Sequence, residues 1–177
     1  MARRLARGGH HVTAFNRSTE RAHAVAREES QVTAVETLGE IAPKMSPPRT
    51  AWIMVPAGDA TDEMIDALLQ VLSPGDTLID GGNSYYADTL TRAARISRQG
   101  IHFIDVGTSG GIWGLREGYS MMIGGEEDAV ERLRPLFETL APAQDRGWGY
   151  VGPVGAGLCH HNLVTGYGND GQDVVRR

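Results

Sequence analysis

Residues 51–84 read AWIMVPAGDATDEMIDALLQVLSPGDTLIDGGNS. Ala51 to Val55 is a continuous apolar run, as expected of a strand buried on both faces. Pro56-Ala57-Gly58 breaks it. Asp59 and Thr61 can cap a helix that continues through Leu72, and Ser73-Pro74-Gly75 ends that helix. Thr77 to Ile79 is the next strand, stopped by Asp80-Gly81-Gly82. A strand, a helix and a strand joined by short connections form a parallel crossover unit.

The same alternation extends in both directions. Upstream, Met1 to Gly9 (MARRLARGG) reads as the body of an amphipathic helix, with Leu5 and Ala2/Ala6 on one face. Strand-like His11 to Phe15, helical Thr19 to Glu29, the β-branched Gln31 to Val35 and a short helix from Thr37 to Ala42 follow. Pro43 and Ser46-Pro47-Pro48 close that helix. Downstream, Tyr85 to Arg98 is helical, His102 to Val106 a strand and Gly107 to Gly118 a glycine-rich loop. Tyr119 to Ile123 reads as a strand, Glu126 to Leu140 as one helix, Ala143 to Gly149 as a linker and Trp148 to Val151 as a last strand. From Gly155 onward no periodicity is visible. The expected fold is α/β: a Rossmann-like, doubly wound, mostly parallel sheet with helices on both faces.

The chain has 177 residues, 41% hydrophobic and 22% charged, enough to bury a core without staples. The lone Cys159 excludes an internal disulfide. A formal charge of −5 argues against general nucleic-acid binding, which needs a basic footprint. No apolar run approaches the length needed to span a bilayer. Among 17 basic residues only Lys44 is a lysine. The Arg-rich, acid-poor start also fits an organelle transit peptide. The strand-like run directly after it favours the helix instead, and with it a cytoplasmic protein. Cys159-His160-His161 matches no common zinc spacing, and no metal site is expected.

In doubly wound sheets, ligands sit beyond the carboxyl ends of the strands. The segments to read are therefore Asn16-Arg17-Ser18, Pro56-Ala57-Gly58, Gly81-Gly82-Asn83-Ser84 and Gly107-Thr108-Ser109-Gly110-Gly111. Turn residues belong in such loops anyway, which explains any one of them but not all four together. An acid at the first segment would bond ribose hydroxyls and repel a 2′-phosphate. A neutral Asn16, the Arg17 cation and the Ser18 hydroxyl suit a 2′-phosphate, and so NADP over NAD. The plain alternative is that Arg17 is a solvated surface charge. The loop 107–111 offers backbone N–H groups and two hydroxyls to a carboxylate or phosphate. Its plain alternative is a flexible connection. Trp113 and Tyr119 read as packing residues, and Glu126-Glu127-Asp128 as the charged start of a helix.

Taken in order, AFNRS (14–18), MVPAG (54–58), DGGNSYY (80–86), DVGTSGGIWGLREGYSMMIGG (105–125) and GPVGAG (152–157) resemble decarboxylating 6-phosphogluconate dehydrogenases, and more narrowly their shorter bacterial form. The resemblance covers residues 1 to about 157. It implies a Rossmann domain followed by an all-helical domain, the latter completing the active site and a homo-oligomer. It implies oxidation of 6-phosphogluconate by NADP (NAD in some members), then decarboxylation to ribulose 5-phosphate in the pentose phosphate pathway. Carried over, Asn16, Arg17 and Ser18 hold the adenosine ribose or its 2′-phosphate. Val55, Pro56 and Ala57 flank the cofactor, Asn83 touches cofactor and substrate, and Ser109, Gly110 and Gly111 bind the substrate. The domain would be residues 1–157, with 158–177 a divergent tail.

Three departures accompany the resemblance. The family's first strand and its GxGxxG turn are expected before Met1; that strand lies centrally, so its absence would leave two apolar edges. The family's HFVKMVHNGIEYG is answered by LCHHNLVTGYG (158–168), which lacks the lysine and glutamate that supply base and acid. Ungapped, His161 stands at the lysine's place and Gly168 at the glutamate's; with a short gap, His161-Asn162 matches the family's His-Asn pair. The expected helical domain does not follow, so the resemblance implies a fragment. Two other readings fit the pattern: a β-hydroxyacid dehydrogenase of the 3-hydroxyisobutyrate type, which DGGNSYY argues against, and a catalytically inactive nucleotide-binding remnant.

Overall fold

The computed structural model describes residues 1–165. Helix α1 (Ala2–Arg7), strand β1 (Val12–Phe15), helix α2 (Thr19–Glu28) and strand β2 (Val32–Val35) come first. β1 and β2 pair in parallel as a two-stranded sheet. A 3-10 turn (Leu38–Glu40) and the short α3 (Ile41–Lys44) lead to β3 (Thr50–Ile53). Next come α4 (Asp59–Leu69), β4 (Thr77–Asp80), α5 (Tyr86–Ser97) and β5 (His102–Ser109). The rest is α6 (Gly114–Glu117), β6 (Ser120–Gly124), α7 (Glu127–Arg132), α8 (Arg134–Leu140), β7 (Trp148–Gly152) and α9 (Ala156–Thr165). The second sheet has five strands in the order β3-β4-β5-β6-β7. β3, β4 and β5 are parallel; β6 runs antiparallel to β5, and β7 parallel to β6.

Successive side chains of a strand point to opposite faces, and the two cores follow that rule. Leu78 of β4 and Phe103 of β5 join one cluster with Ile53, Ile65, Leu68 and Ile96. Their neighbours Ile79 and Ile104 join the other, with Val106, Ile123, Phe137 and Leu140. Each such fully buried side chain contributes about 1.5–3 kcal/mol. Phe15 and Val35 from the two-stranded sheet pack into the first cluster, so the small sheet shares a core with the large one. The helical reading of the N-terminus holds. Arg3 and Arg7 pair with Glu28 and Glu29 at 2.6 Å. Arg4 donates to the carbonyls of Thr139 and Ala141.

Five expectations need correction. The run 51–55 is not a strand buried on both faces: β3 is half-buried because it is the edge of its sheet, and Met54 is 53% exposed. The fully buried strand is β4. Gly107 does not open a loop; β5 continues to Ser109 in an antiparallel ladder with β6. The helix read from Glu126 to Leu140 breaks at Leu133, because Pro135 in the first turn of α8 has no N–H to continue the ladder. Ala143 to Gly149 is a tight turn, bridged between Ala143 and Arg146, that feeds β7. Finally, the lack of periodicity from Gly155 conceals a helix, α9, laid across β5, β6 and β7. Among the described residues, β1 pairs only with β2 and β3 only with β4, so each keeps one open edge.

Candidate active site

Because β3, β4 and β5 are parallel, their last residues open at one rim. Beyond β3, Val55 is half-buried, and Pro56 and Ala57 are exposed. This loop is pinned from below. The Thr61 hydroxyl donates to the Pro56 carbonyl at 2.9 Å, and Arg92 of α5 donates to the Gly58 carbonyl at 3.3 Å. Beyond β4, the Asp80 carboxylate accepts from the Gly82 N–H at 3.0 Å and from the Ser84 hydroxyl at 2.7 Å. Asn83, between them, is left half-buried. Asp80 is fully buried, and that burial pushes its carboxyl above the ordinary range; Ser84, Gly82 and Arg92 pull it back.

Helix α9 brings a second set of groups to the same rim. Its first turn is capped by Asp105 of β5, whose buried carboxylate accepts from the N–H groups of Gly155 at 2.6 Å and Leu158 at 2.7 Å. Burial pushes the Asp105 carboxyl up, against these two donors. The helix lies very close to the sheet. A methyl at Gly157 would stand 2.5 Å from the Met122 carbonyl oxygen, and one at Gly107 would stand 2.2 Å from His161 Cβ. One turn further on, Asn162 is 4% exposed and its Nδ2 lies 3.5 Å from Asn83 Oδ1, the long limit of a hydrogen bond. Asn162 Oδ1 is buried with no hydrogen-bond partner among the described residues. His161 is 8% exposed, and burial lowers its imidazole below the ordinary 6.5, so it is neutral near pH 7.

The remaining candidate residues lie apart from this cluster. Asn16, Arg17 and Ser18 are exposed at the end of β1. Asn16 Oδ1 accepts the Ser18 N–H at 2.9 Å, which shapes the turn and leaves the Arg17 guanidinium outward. Ser109, Gly110 and Gly111 line a cleft of about 580 Å³ with Ile112, Trp113 and Ser120, and Asn83 is not part of its wall. Tyr119 packs in the core as expected, but Trp113 is 59% exposed and is no packing residue; the Arg116 guanidinium sits 5.1 Å from its ring centroid. Gly168 lies outside the described residues, as does the end of the expected tail. The expected boundary at 157 falls inside α9. No group of three or more His, Cys, Asp or Glu comes together as a metal site among the described residues.

Sequence reasoning missed Asp80, Arg92, Asp62 and Asp105, and read Ser84 only as one member of a strand-end loop. A signal existed for three of them. Asp80 and Asp105 end or interrupt apolar strand runs, where an acid must find partners. Arg92 falls between Thr89 and Ile96 on the buried stripe of α5.

A family described as the NAD binding domain of 6-phosphogluconate dehydrogenase matches residues 1–152. The chain belongs to this family. Decarboxylating 6-phosphogluconate dehydrogenases of Haemophilus influenzae and Lactococcus lactis subsp. lactis are 38% and 37% identical to it over 168 residues. Each alignment covers 89% of this chain but 35% and 36% of the relative, so the chain spans about a third of their length. Among solved structures, Plasmodium falciparum 6-phosphogluconate dehydrogenase superposes with a TM-score of 0.82 at 27% identity, over 92% of this chain and 36% of that one. Mycobacterium tuberculosis 3-hydroxyisobutyrate dehydrogenase reaches 0.80 at 23% identity, over 92% of this chain and 54% of that one, a likeness of fold alone. Members of the 6-phosphogluconate dehydrogenase family thus share this Rossmann-like α/β arrangement. No helix among the described residues is long and apolar enough to cross a membrane.

Proposed function

We propose that this chain is the NADP-binding part of a cytoplasmic decarboxylating 6-phosphogluconate dehydrogenase that works as a homo-oligomer on a small sugar-acid phosphate. The observation that carries the reading is the meeting of Asn83 and Asn162 at the end of β4, 79 positions apart in a family member. Two buried or half-buried amides, one with a spare carbonyl, form a wall that can bond a hydroxylated substrate. The Plasmodium relative has been solved with NADP+ and with 6-phosphogluconate.

The residues present fit a phosphorylated dinucleotide. The outward Arg17, in a turn with no acid, suits the 2′-phosphate, with Asn16 and Ser18 beside the ribose. The exposed Pro56-Ala57 edge and Val55 flank the path towards Asn83. When bound, the nicotinamide supplies a hydride acceptor. This chain's own part is to hold the substrate carbon against that acceptor: Asn83 reaches both molecules, and Ser109, Gly110 and Gly111 take the substrate's carboxylate end. His161 precedes Asn162 on α9; the burial that keeps its imidazole neutral also disfavours its protonated form.

The test is a thermal melt with NADP+ and NAD+ in parallel. Binding to the native state raises the midpoint by mass action. NADP+ is expected to raise it more than NAD+. Arg17→Glu is expected to abolish the NADP+ shift and to keep or enlarge the NAD+ shift, because an acid there can bond the free ribose hydroxyls. Equal shifts for both nucleotides in the unaltered chain would overturn the 2′-phosphate assignment, and no shift would overturn the nucleotide reading.

A further inference from the structure

The guanidinium of Arg92 is 3% exposed and stands between the two loops to which cofactor and substrate are assigned. On one side it reaches the loop after β3 and the helix that follows. Nη2 donates to the Gly58 carbonyl at 3.3 Å, and Nε and Nη2 donate to the two oxygens of Asp62 at 2.8 and 2.9 Å. On the other side Nη1 lies 3.9 Å from Asp80 Oδ2, without a hydrogen bond of its own. Asp80 in turn holds Gly82 and Ser84, the residues on either side of Asn83. The Gly58 carbonyl also accepts from the N–H groups of Thr61 at 2.9 Å and Asp62 at 3.2 Å. A planar guanidinium spreads five donors over a rigid fork that can face two loops at once; an ammonium gathers three donors on a single atom.

We propose that Arg92 is a positioning residue that locks the loop 56–58 to the loop 81–84, so that the cofactor-side and substrate-side loops move as one unit. The lock itself is a property of this fold. Only the naming of what the two loops bind rests on the proposed function. A buried guanidinium between two carboxylates is costly to leave half-paired, so loss of either anchor loosens the other. A disturbance of Asp80 must therefore be felt at the carbonyl of Gly58, 22 positions earlier in the chain. Next to these loops the ladder of β3 and β4 continues through the backbone, where the Gly81 N–H donates to the Ile53 carbonyl at 3.0 Å. That bond is an internal control, since the lock does not run through it.

Amide hydrogen exchange of the full chain, without ligand, tests the lock. Asp80→Asn is expected to speed exchange at the Thr61 and Asp62 amides by about tenfold. Arg92→Met is expected to do the same there and at Gly82. In the Arg92→Met background, Asp80→Asn is expected to add nothing at Thr61 and Asp62, the mark of one shared path. The Gly81 amide, and those of Arg49 and Ser73 bonded to Asp76, are expected to keep their rates. Arg92→Lys, which retains the charge without the fork, is expected to leave Thr61 and Asp62 fast; restored protection would reduce the role to charge alone and overturn the lock. The lock is also overturned if Asp80→Asn leaves Thr61 and Asp62 at their original rates, or acts equally in both backgrounds. Should Asp80→Asn fail to fold, Ser84→Ala replaces it with the same readout. A parallel titration with NADP+ separates the two ideas. Protection of Thr61, Asp62 and Gly82 together supports both. Protection of none overturns the nucleotide reading while the mutational pattern still decides the lock.

Discussion

Asp76, just before β4, shows how one carboxylate can fasten two segments. Its oxygens accept from the Arg49 N–H at 2.6 Å, the Arg49 guanidinium at 3.1 Å and the Ser73 N–H at 2.9 Å. Burial opposes the charge, but these donors outweigh it and hold the carboxyl below its ordinary 3.8. A carboxylate with a depressed folded value stabilises the native state above its unfolded value, and that contribution is lost as pH falls through the folded one. Asp76→Asn is therefore expected to cost about 2–3 kcal/mol at pH 7. Urea unfolding at pH 7 and pH 3 would show the gap between the two proteins narrowing at the lower pH. An unchanged gap would remove Asp76 from the acid response. Residues of this kind were only half legible. DGGNS marked Asn83 through its neighbours, but the carboxylates beneath it show their function only once their partners are in place. The exposed strand-end loops were legible because turn chemistry is local, whereas the charge facing Asp80, Arg92, lies on α5 and the donors to Asp105 lie at the start of α9.

Helix α9 is the element that periodicity could not reveal. It docks through what it lacks, with Gly157 in its first turn against the backbone of β5 and β6, so no apolar stripe announces it. β5 was read short for the same reason: Gly107 looks like a turn residue, yet it is a flat place on a strand where His161 lands. Gly157→Ala and Gly107→Ala are each expected to cost about 1–3 kcal/mol through forced separation of α9 from the sheet. Faster amide exchange across 158–162, with β4 amides unchanged, would report that undocking. Equal protection in both variants would mean that the helix has room to shift. The helix break at Pro135, by contrast, is written in the sequence, since Pro135 falls within the stretch 126–140 that otherwise reads as one helix.

At the scale of the whole molecule, the strand and helix alternation was enough to give the parallel core, because strands buried between two layers must be apolar on both sides, as β4 is. The direction of β6 was not legible, since an antiparallel pair differs from a parallel one in hydrogen bonding more than in composition. Among the described residues the outer edges of β1 and β3 have no pairing strand, and such edges template association. Sedimentation velocity on this 177-residue chain is expected to show larger species as its concentration rises; a single species at all concentrations would mean that the edges are covered. The reversal at β6 has a consequence for which lengths the fold can vary. β6 and β7 carry the chain back as far as Asp105, midway along β5, and α9 then climbs from Asp105 to Asn83 in one pass. An inserted residue in the turn 142–147 changes only how far that turn bulges. The same insertion between Gly157 and His161 rotates everything beyond it by about 100° and lifts it by about 1.5 Å, and Asn162 swings away from Asn83. Natural variants of this chain are therefore expected to vary in length in the first segment and to hold the second to a fixed count, as a ruler must.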